Sequence, residues 1–591
     1  MKGMTQPGGG WFARGGGFLL EDGSPEQVLT PEVAWASVAP IAGVAREFVE
    51  REVIPAFPTG EHDPSVARRL LQRAGELGLL GVEVEERYGG LGLGPVADCA
   101  VTEAIGRGGD FAVTYGAHSG IGTLPLVLFG TEEQKGRYLP QLAAGSRVAA
   151  YALTEPMAGS DALSCRTVAQ AADGGFRLSG QKQWITNAGF ADLFVVYAKV
   201  GGEQFTAFLV ERGSPGLSLG PEEDKLGIRG SSTRAVYLDQ VFVPAANVLG
   251  EVGRGHVVAF NTLNVGRFKL ACGTVGSSVA AMEVAARYAE ERRQFGRPIA
   301  DFGLVQEKLA TMAVRIYALE SMVYRVAGLL QALRQVEKDP ARAVGELAAE
   351  CSMVKVYGSE ALDFVVDEAL QIHGGYGFMN AYPVSRMYRD ARINRIFEGT
   401  NEINRLLTID ALLRRAFRGQ LPLLPALQEA RAGGGSGGVG GLAAARRAVL
   451  YALSLALERF ETRLEQEQEI VGRLADMAMA LFAAQSAFWR ARRARAAIPG
   501  YETGEATGEA AIHGRLAALV VEESLQELVR AGREAVAACC RDGRPSARQA
   551  MAPFTALQAA AGIDTIALRR EVAGWVREAR GYPVKRMAET A

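Results

Sequence analysis

The stretch Arg395-Ile396-Phe397-Glu398-Gly399-Thr400-Asn401-Glu402 decides how the rest of the chain is read. It sets one carboxylate, Glu398, before a Gly-Thr pair at the joint between two helical patterns. Upstream, Val384, Met387, Tyr388, Ala391 and Ile396 suggest a helix face; downstream, Ile403, Leu406, Leu407 and Ile409 to Leu413 resume the period. Gly399 supplies backbone freedom at the break, and the Thr400 hydroxyl suits a helix cap. A carboxylate at such a joint is usually a solvated helix-end charge. The alternative is a general base aimed into a pocket, and the surrounding sequence has to choose.

Around this joint, Arg267 to Arg293, Gly303 to Arg334, Gly345 to His373 and Tyr382 to Phe417 read as long helical segments, a bundle over residues 257–417. Before it, residues 147–256 carry short β-rich runs: Val148 to Leu153, Phe176 to Leu178, Leu193 to Lys199, Phe205 to Val210 and Ala235 to Val243. Gly/Ser/Asp turns separate them, which predicts an antiparallel β-domain rather than the βαβ alternation of a dinucleotide-binding fold. Residues 31–146 read as an N-terminal helical domain opened by Thr30-Pro31. Residues 1–30, with Gly8-Gly9-Gly10 and Gly15-Gly16-Gly17, read as a flexible N-terminus. Residues 418–441 include the Gly433 to Gly438 run and read as a linker; residues 442–591, rich in Ala, Leu, Arg and Glu, read as an extra C-terminal helical domain. The expected fold class is multidomain α and β.

Composition narrows the function. A chain of 591 residues exceeds one hydrophobic core, and 48% apolar with 22% charged residues is ordinary for a globular protein. A net charge of −2 gives no footprint for nucleic acid. Six cysteines lack disulfide or metal spacing and five histidines are scattered, so reduced thiols and no metal site are expected. The glycine cluster Tyr88 to Gly94 has no phosphate-loop lysine and reads as a plain loop. No signal peptide is evident and no apolar run approaches the roughly 20 residues of a membrane span, so a cytoplasmic location is expected. Peripheral membrane contact stays open, through an Arg-rich face around Trp489 to Arg495 in the C-terminal domain.

Five motifs carry chemistry together. They are Tyr151-Ala152-Leu153-Thr154-Glu155-Pro156 with Ala158-Gly159-Ser160-Asp161, then Trp184-Ile185-Thr186-Asn187, Arg292-Arg293-Gln294-Phe295-Gly296, Gln371-Ile372-His373-Gly374-Gly375-Tyr376-Gly377, and Ile396 to Arg405. In order and spacing this set resembles the acyl-CoA dehydrogenase family over most of Pro31 to Leu413. Asp301 to Ala310, Gly116-Ala117-His118-Ser119 and the extra C-terminal region are similar to its very-long-chain subgroup.

The resemblance implies α,β-dehydrogenation of a medium- to long-chain fatty acyl-CoA, with FAD as cofactor and an electron-transfer flavoprotein as acceptor. It implies Glu398 as the base, because the slot used by a minority of the family is Gly266 here. For the flavin it implies Leu153 and Thr154 at the pyrimidine edge, Ser160 near the phosphates, and Trp184 and Thr186 beside the ring. Arg292 and Phe295 are implied to reach the FAD diphosphate and adenine of a neighbouring subunit, Gln371 and Gly375 to contact the adenosine side, with Thr400 and Glu402 near the diphosphate and adenine. Glu402 stands where glutamine is common, and Asn264 where aspartate is common. Ser160, Asn264, Arg267 and Gly399 are the implied substrate contacts, and a homodimer is the implied assembly. Two other readings share the fold: an acyl-CoA oxidase, and a non-catalytic assembly factor. Ordinary structural roles for these residues remain open too: Ser160 and Asp161 in a turn, Gln371 and Gly375 at a helix stop, Arg292 as a helix-end charge.

Overall fold

The computed structural model describes residues 10–57, 64–337, 339–432, 440–496, 508–540, 546–560 and 562–584. The N-terminal domain comprises α1 (Pro31–Phe48), α2 (Ile54–Ala56), α3 (Pro64–Glu76), α4 (Pro95–Gly106), α5 (Asp110–Tyr115), α6 (Leu124–Phe129) and α7 (Glu132–Ala143). Thr30 caps α1 ahead of Pro31, and Thr131 and Gln134 close a reciprocal capping box on α7. One 18-residue window within Pro25–Ala56 reaches a mean hydropathy of 1.4. Its Trp35, Val38, Ala42, Ala45, Phe48 and Val49 are buried in the core of this domain, so packing accounts for the apolar face.

The β-domain is one sheet of β1 (Ala149–Ala152), β2 (Val168–Ala172), β3 (Gly175–Thr186), β4 (Leu193–Val200), β5 (Gln204–Glu211), β6 (Leu217–Glu222), β7 (Thr233–Pro244) and β8 (Val248–Leu249). The order is β6-β7-β3-β2-β4-β5-β8, with β1 on β4. The expectation of an antiparallel sheet needs correction at two pairings: β1 and β2 both run parallel to β4, because each returns to it through an intervening crossover. Between Lys182 and Ile185 the β3–β7 register shifts, and this irregularity puts Trp184 at φ 57°.

The bundle follows as α8 (Gly255–Glu291), the short hairpin β9 (Arg293–Gln294) and β10 (Arg297–Pro298), α9 (Gly303–Val336), α10 (Pro340–Glu346), α11 (Ala348–His373), α12 (Pro383–Ala391) and α13 (Asn401–Phe417). Where the sequence suggested a linker there is a helix, α14 (Leu423–Arg431), with Leu423 and Leu427 buried in the main core. The glycine run 433–439 lies outside the described residues. The extra domain contains α15 (Gly440–Phe460), α16 (Gln468–Ala496), α17 (Glu509–Cys539), α18 (Ala547–Ala550), α19 (Ala552–Ala560) and α20 (Thr565–Ala579). It shares continuous apolar cores with the bundle.

Two further expectations fail on packing. Residues 10–30 are not a flexible tail but a strap between the bundle and the extra domain: Phe12, Phe18 and Leu19 are buried, and Phe18 packs edge-on to Phe482 at 5.3 Å. Its glycines serve close approach, since a Cβ on Gly17 would lie 1.7 Å from the Trp11 carbonyl oxygen. Residues 1–9 lie outside the described set. The Arg-rich face at Trp489 to Arg495 is the other side of the same contact. Trp489 and Arg490 are buried, the Trp489 indole N–H donates to the Asp22 carbonyl at 2.7 Å, and Arg493 donates to the carbonyls of Pro25, Glu26 and Val28. That face is spoken for by the strap and is not offered to a membrane.

Candidate active site

The joint is built as the sequence suggested. Thr400 caps α13, its Oγ1 accepting from the Ile403 N–H at 3.3 Å, and Gly399 takes φ 80°. Glu398 itself sits at φ 57°, in the left-handed region that costs a side-chain-bearing residue about 1–3 kcal/mol. Three side chains hold the strained turn through its carbonyls. Arg267 Nε donates to Glu398 O at 3.1 Å, Lys355 Nζ to Gly399 O at 2.7 Å, and Asn404 Nδ2 to Gly399 O at 2.8 Å and Thr400 O at 3.0 Å. These donors grip the backbone and leave the carboxylate alone: Glu398 Oε2 is sealed from solvent and has no hydrogen-bond partner among the described residues.

The electrostatics follow from that arrangement. Burial pushes the Glu398 carboxyl up to about 7, against the opposing pull of Arg267 and Lys355. Burial likewise draws the Lys355 ammonium down to about 7. Gly266 faces the carboxylate from α8, and a Cβ there would stand 2.6 Å from Glu398 Oε2. A side chain at 266 would therefore push the carboxylate off this position.

Glu398 heads a cavity of about 210 Å³ that also receives Phe397, Thr186 and Gly266. Along α8 its wall steps through Gly266, Leu270, Gly273, Ser277 and Ala280, a helical stripe; along the facing segment it steps through Ile121, Gly120, Gly116, Val113 and Asp110. Fourteen residues of α8 correspond to a length of about 21 Å at 1.5 Å per residue. The lining is mostly apolar.

Leu153, Thr154, Trp184 and Thr186 come together through β3. The Gln183 N–H donates to Thr154 O at 2.9 Å, and buried Lys182 donates to Leu153 O at 3.2 Å and to Glu155 at 2.7 Å. The Trp184 ring is 63% exposed beside this edge. Ser160 is exposed just past the tight turn made by Glu155 and Ala158. Arg267 is buried and also donates Nη1 to Asn264 Oδ1 at 2.7 Å, so Asn264 orients Arg267. Glu402 turns its carboxylate back to its own backbone N–H and the Thr400 hydroxyl.

The remaining predicted residues lie elsewhere in the chain. Arg292 and Gly375 line a separate cavity of about 460 Å³ with Tyr288, His373 and Tyr376. The Arg292 guanidinium lies over the Tyr376 ring at 5.4 Å. Gln371 is exposed near the end of α11, and Phe295 is 93% exposed at the tip of the β9–β10 hairpin, at φ 50°. None of these four lines the Glu398 cavity.

Sequence reasoning missed Lys355 and Asn404. The only signal for Lys355 was a lysine inside the apolar run Met353-Val354-Lys355-Val356, and for Asn404 a second asparagine one turn after Asn401. No cluster of three or more His, Cys, Asp or Glu suited to a metal occurs among the described residues, and all six cysteines are buried and outside any disulfide.

Comparison with known proteins agrees with this geometry. Four family models match: the acyl-CoA dehydrogenase N-terminal domain over residues 40–146, the middle domain over 150–241, and two C-terminal domains over 253–413 and 444–547. A probable acyl-CoA dehydrogenase of Bacillus subtilis (strain 168) is 46% identical over 97% of this chain and 98% of that protein. The mitochondrial very long-chain specific acyl-CoA dehydrogenase of Homo sapiens is 44% identical over 56% of this chain and 51% of that protein. The crystal structure of an acyl-CoA dehydrogenase complexed with FAD from Bacillus anthracis superposes with a TM-score of 0.92 at 44% identity, covering 96% of this chain and 99% of that one. With every domain matched and the full length shared, the chain belongs to the acyl-CoA dehydrogenase family.

Proposed function

We propose that the enzyme oxidises medium- to long-chain fatty acyl-CoA to trans-2-enoyl-CoA, with Glu398 as base, FAD as cofactor and an electron-transfer flavoprotein as acceptor. The observation that carries this reading is a strained, partnerless carboxylate at the head of a long apolar cavity. The residues present suit a flavin: a paired strand edge at Leu153 and Thr154, an outward Trp184 ring, Thr186 on the cavity wall, and Ser160 and the α13 N-terminus at Thr400 for phosphate. When bound, FAD supplies the acceptor for the hydride that leaves Cβ.

The chain's own part is proton abstraction. The Cα–H bond breaks and an O–H bond forms on Glu398, whose buried carboxyl, raised to about 7, is a stronger base than a solvated glutamate. The Glu398 backbone N–H is assigned as a donor to the thioester oxygen, where charge develops. Arg267, oriented by Asn264, and Lys355 hold that N–H in position through the carbonyls of the turn. Gly399 lets the turn close, and Glu402 balances the helix start.

Chain length is read from the cavity. The stretch of α8 along its wall, about 21 Å, exceeds the ~15 Å depth of one bilayer leaflet, half the ~30 Å hydrocarbon core. Small residues at Gly116, Gly120 and Gly273 keep the bore open. Arg292, Phe295, Gln371 and Gly375, remote from Glu398, are assigned to the adenosine end of FAD held by a second copy, which makes a homodimer the working unit.

Anaerobic titration of the FAD-loaded protein with acyl-CoA from four to twenty carbons tests the reading. Bleaching of the flavin band, strongest at long chains, is expected. No bleaching at any length would favour an assembly factor. Rapid peroxide formation once air is admitted would favour an oxidase.

A further inference from the structure

We propose that Asp476 of the extra C-terminal domain, acting through Arg405, is a positioning residue for the base: it keeps Lys355 on the backbone of the joint and off the Glu398 carboxylate. This rests on the acyl-CoA reading above and gives the extra domain a part in proton abstraction, although none of its described residues lines the Glu398 cavity.

A polar seam joins the two domains. Lys355 and Ser359 stand one turn apart on α11, with Glu360 next to them, and Asn401 and Arg405 stand one turn apart on the facing α13. Lys355 Nζ donates to Gly399 O at 2.7 Å and to Asn401 Oδ1 at 2.8 Å. Asn401 Nδ2 donates to Ser359 Oγ at 3.0 Å and to Glu360 Oε1 at 3.1 Å. Arg405 then donates Nη1 and Nη2 to the two Glu360 oxygens at 2.8 and 3.1 Å, and Nε to Asp476 Oδ1 at 2.7 Å. Asp476 lies on α16, is buried, and accepts from Arg473 through its other oxygen at 3.3 Å. Each link in the seam is a direct hydrogen bond.

The order of donors and acceptors fixes each group in turn. The Asn401 amide has a cation at its oxygen and an anion at its nitrogen, so a flipped amide would set N–H against Nζ and oxygen against carboxylate. That orientation depends on Glu360 staying in place, yet Glu360 is only half-buried, and a partly exposed ion pair holds its geometry weakly. Asp476 supplies what Glu360 lacks. With Nε taken by a buried carboxylate, the planar Arg405 fork cannot turn, and both Nη groups stay aimed at Glu360. Beside Asp476, Leu474, Ala475, Met477 and Ala478 of α16 are packed in the main core. The fixed end of the seam is therefore in the extra domain.

Lys355 is the end of the seam that touches the chemistry. Its charge is felt by the Glu398 carboxylate, but its hydrogen bonds go to Gly399 O and Asn401 Oδ1, and Glu398 Oε2 has no partner among the described residues. Released from Asn401, Nζ is free to turn to that oxygen. A direct bond from Nζ would stabilise the carboxylate and cover the lone pair that takes the α-proton. Asp476 thus governs the rate of proton abstraction and leaves acyl-CoA affinity alone.

The test is flavin reduction of the FAD-loaded protein by palmitoyl-CoA in anaerobic stopped flow. Asp476→Asn keeps the side-chain shape and removes the charge that pins Arg405. It is expected to slow reduction between about 3- and 30-fold, the scale of coupling through such networks, with palmitoyl-CoA affinity within about twofold of the parent. Lys355→Met has no Nζ to release, so adding Asp476→Asn to it should slow reduction by less than about twofold further. A merely structural role would slow both backgrounds alike. Glu360→Gln, at the half-buried middle of the seam, should repeat the pattern, and it carries the test if Asp476→Asn does not retain FAD. Unchanged reduction in these variants, equal slowing with and without Lys355, or a matching loss of palmitoyl-CoA affinity overturns the role of Asp476. A parent protein that no acyl-CoA reduces would instead overturn the acyl-CoA reading, and this role with it.

Discussion

Two buried carboxylates in this molecule have opposite fates. Glu32, at the start of α1, is met by Arg490 of the extra domain through Nε at 3.0 Å and Nη2 at 2.6 Å. Despite burial, that guanidinium holds its carboxyl down at about 2. Arg490 also pairs with Glu320 of α9 at 2.7 Å and lies over the Tyr317 ring. Glu398 is half-buried with its Oε2 sealed from solvent, yet its nearby cations spend their hydrogen bonds on backbone carbonyls, and its carboxyl is pushed up to about 7. A carboxylate that joins domains is saturated with donors. The one proposed as the base is deprived of them.

The largest expected effect breaks the reactive side of this contrast. Glu398→Gln should slow flavin reduction by palmitoyl-CoA between about 10²- and 10⁴-fold while binding is retained, read by anaerobic stopped flow. In the unmodified enzyme, kcat/KM should rise with pH through about 7 as the base ionises. Breaking the structural side comes next. Arg490→Met strands Glu32 and Glu320, and should destabilise the fold by about 3–5 kcal/mol at pH 7, read by denaturant unfolding. Because the Glu32 carboxyl is depressed, its share of that stability is present above the unfolded value of 4.5 and is lost as pH falls through about 2.

A third measurement sharpens the comparison by its sign. The Glu398 carboxyl is raised in the fold, so the native state loses stability as pH climbs from 4.5 to about 7. Glu398→Gln removes that loss and should be more stable than the parent above pH 7, by no more than ~3 kcal/mol, with little difference at pH 4.5. Melting curves at the two pH values decide it; an equal or lower midpoint at pH 8 would contradict the burial argument. The smallest effect concerns placement alone. Gly266→Ala should cost about 10²-fold in kcat, the scale of a roughly 1 Å misplacement of a reacting group, with palmitoyl-CoA affinity little changed.

What the sequence disclosed and what it withheld differ in a physical way. The five motifs are contiguous, so each announces a local turn or helix end, and Thr400 caps α13 as its position suggested. The contacts that tune the site are not contiguous. Lys355 meets Gly399 across forty-four residues, and Arg267 meets Glu398 across 131. Neither pairing leaves a periodic trace. Glycine was ambiguous for a related reason: in the strap at Gly15 to Gly17 it signals close approach rather than freedom, and composition does not separate the two. The bulged backbone at Trp184 was equally hidden, because a φ of 57° comes from a register shift between β3 and β7.

The 2.6 Å between a Cβ at position 266 and Glu398 Oε2 has a consequence for redesign. The two positions compete for one small volume, so a base moved onto α8 cannot coexist with the one already on the joint. Adding a glutamate at 266 alone produces a collision. Exchanging both together, Gly266→Glu with Glu398→Gly, is the change for which the space is already shaped.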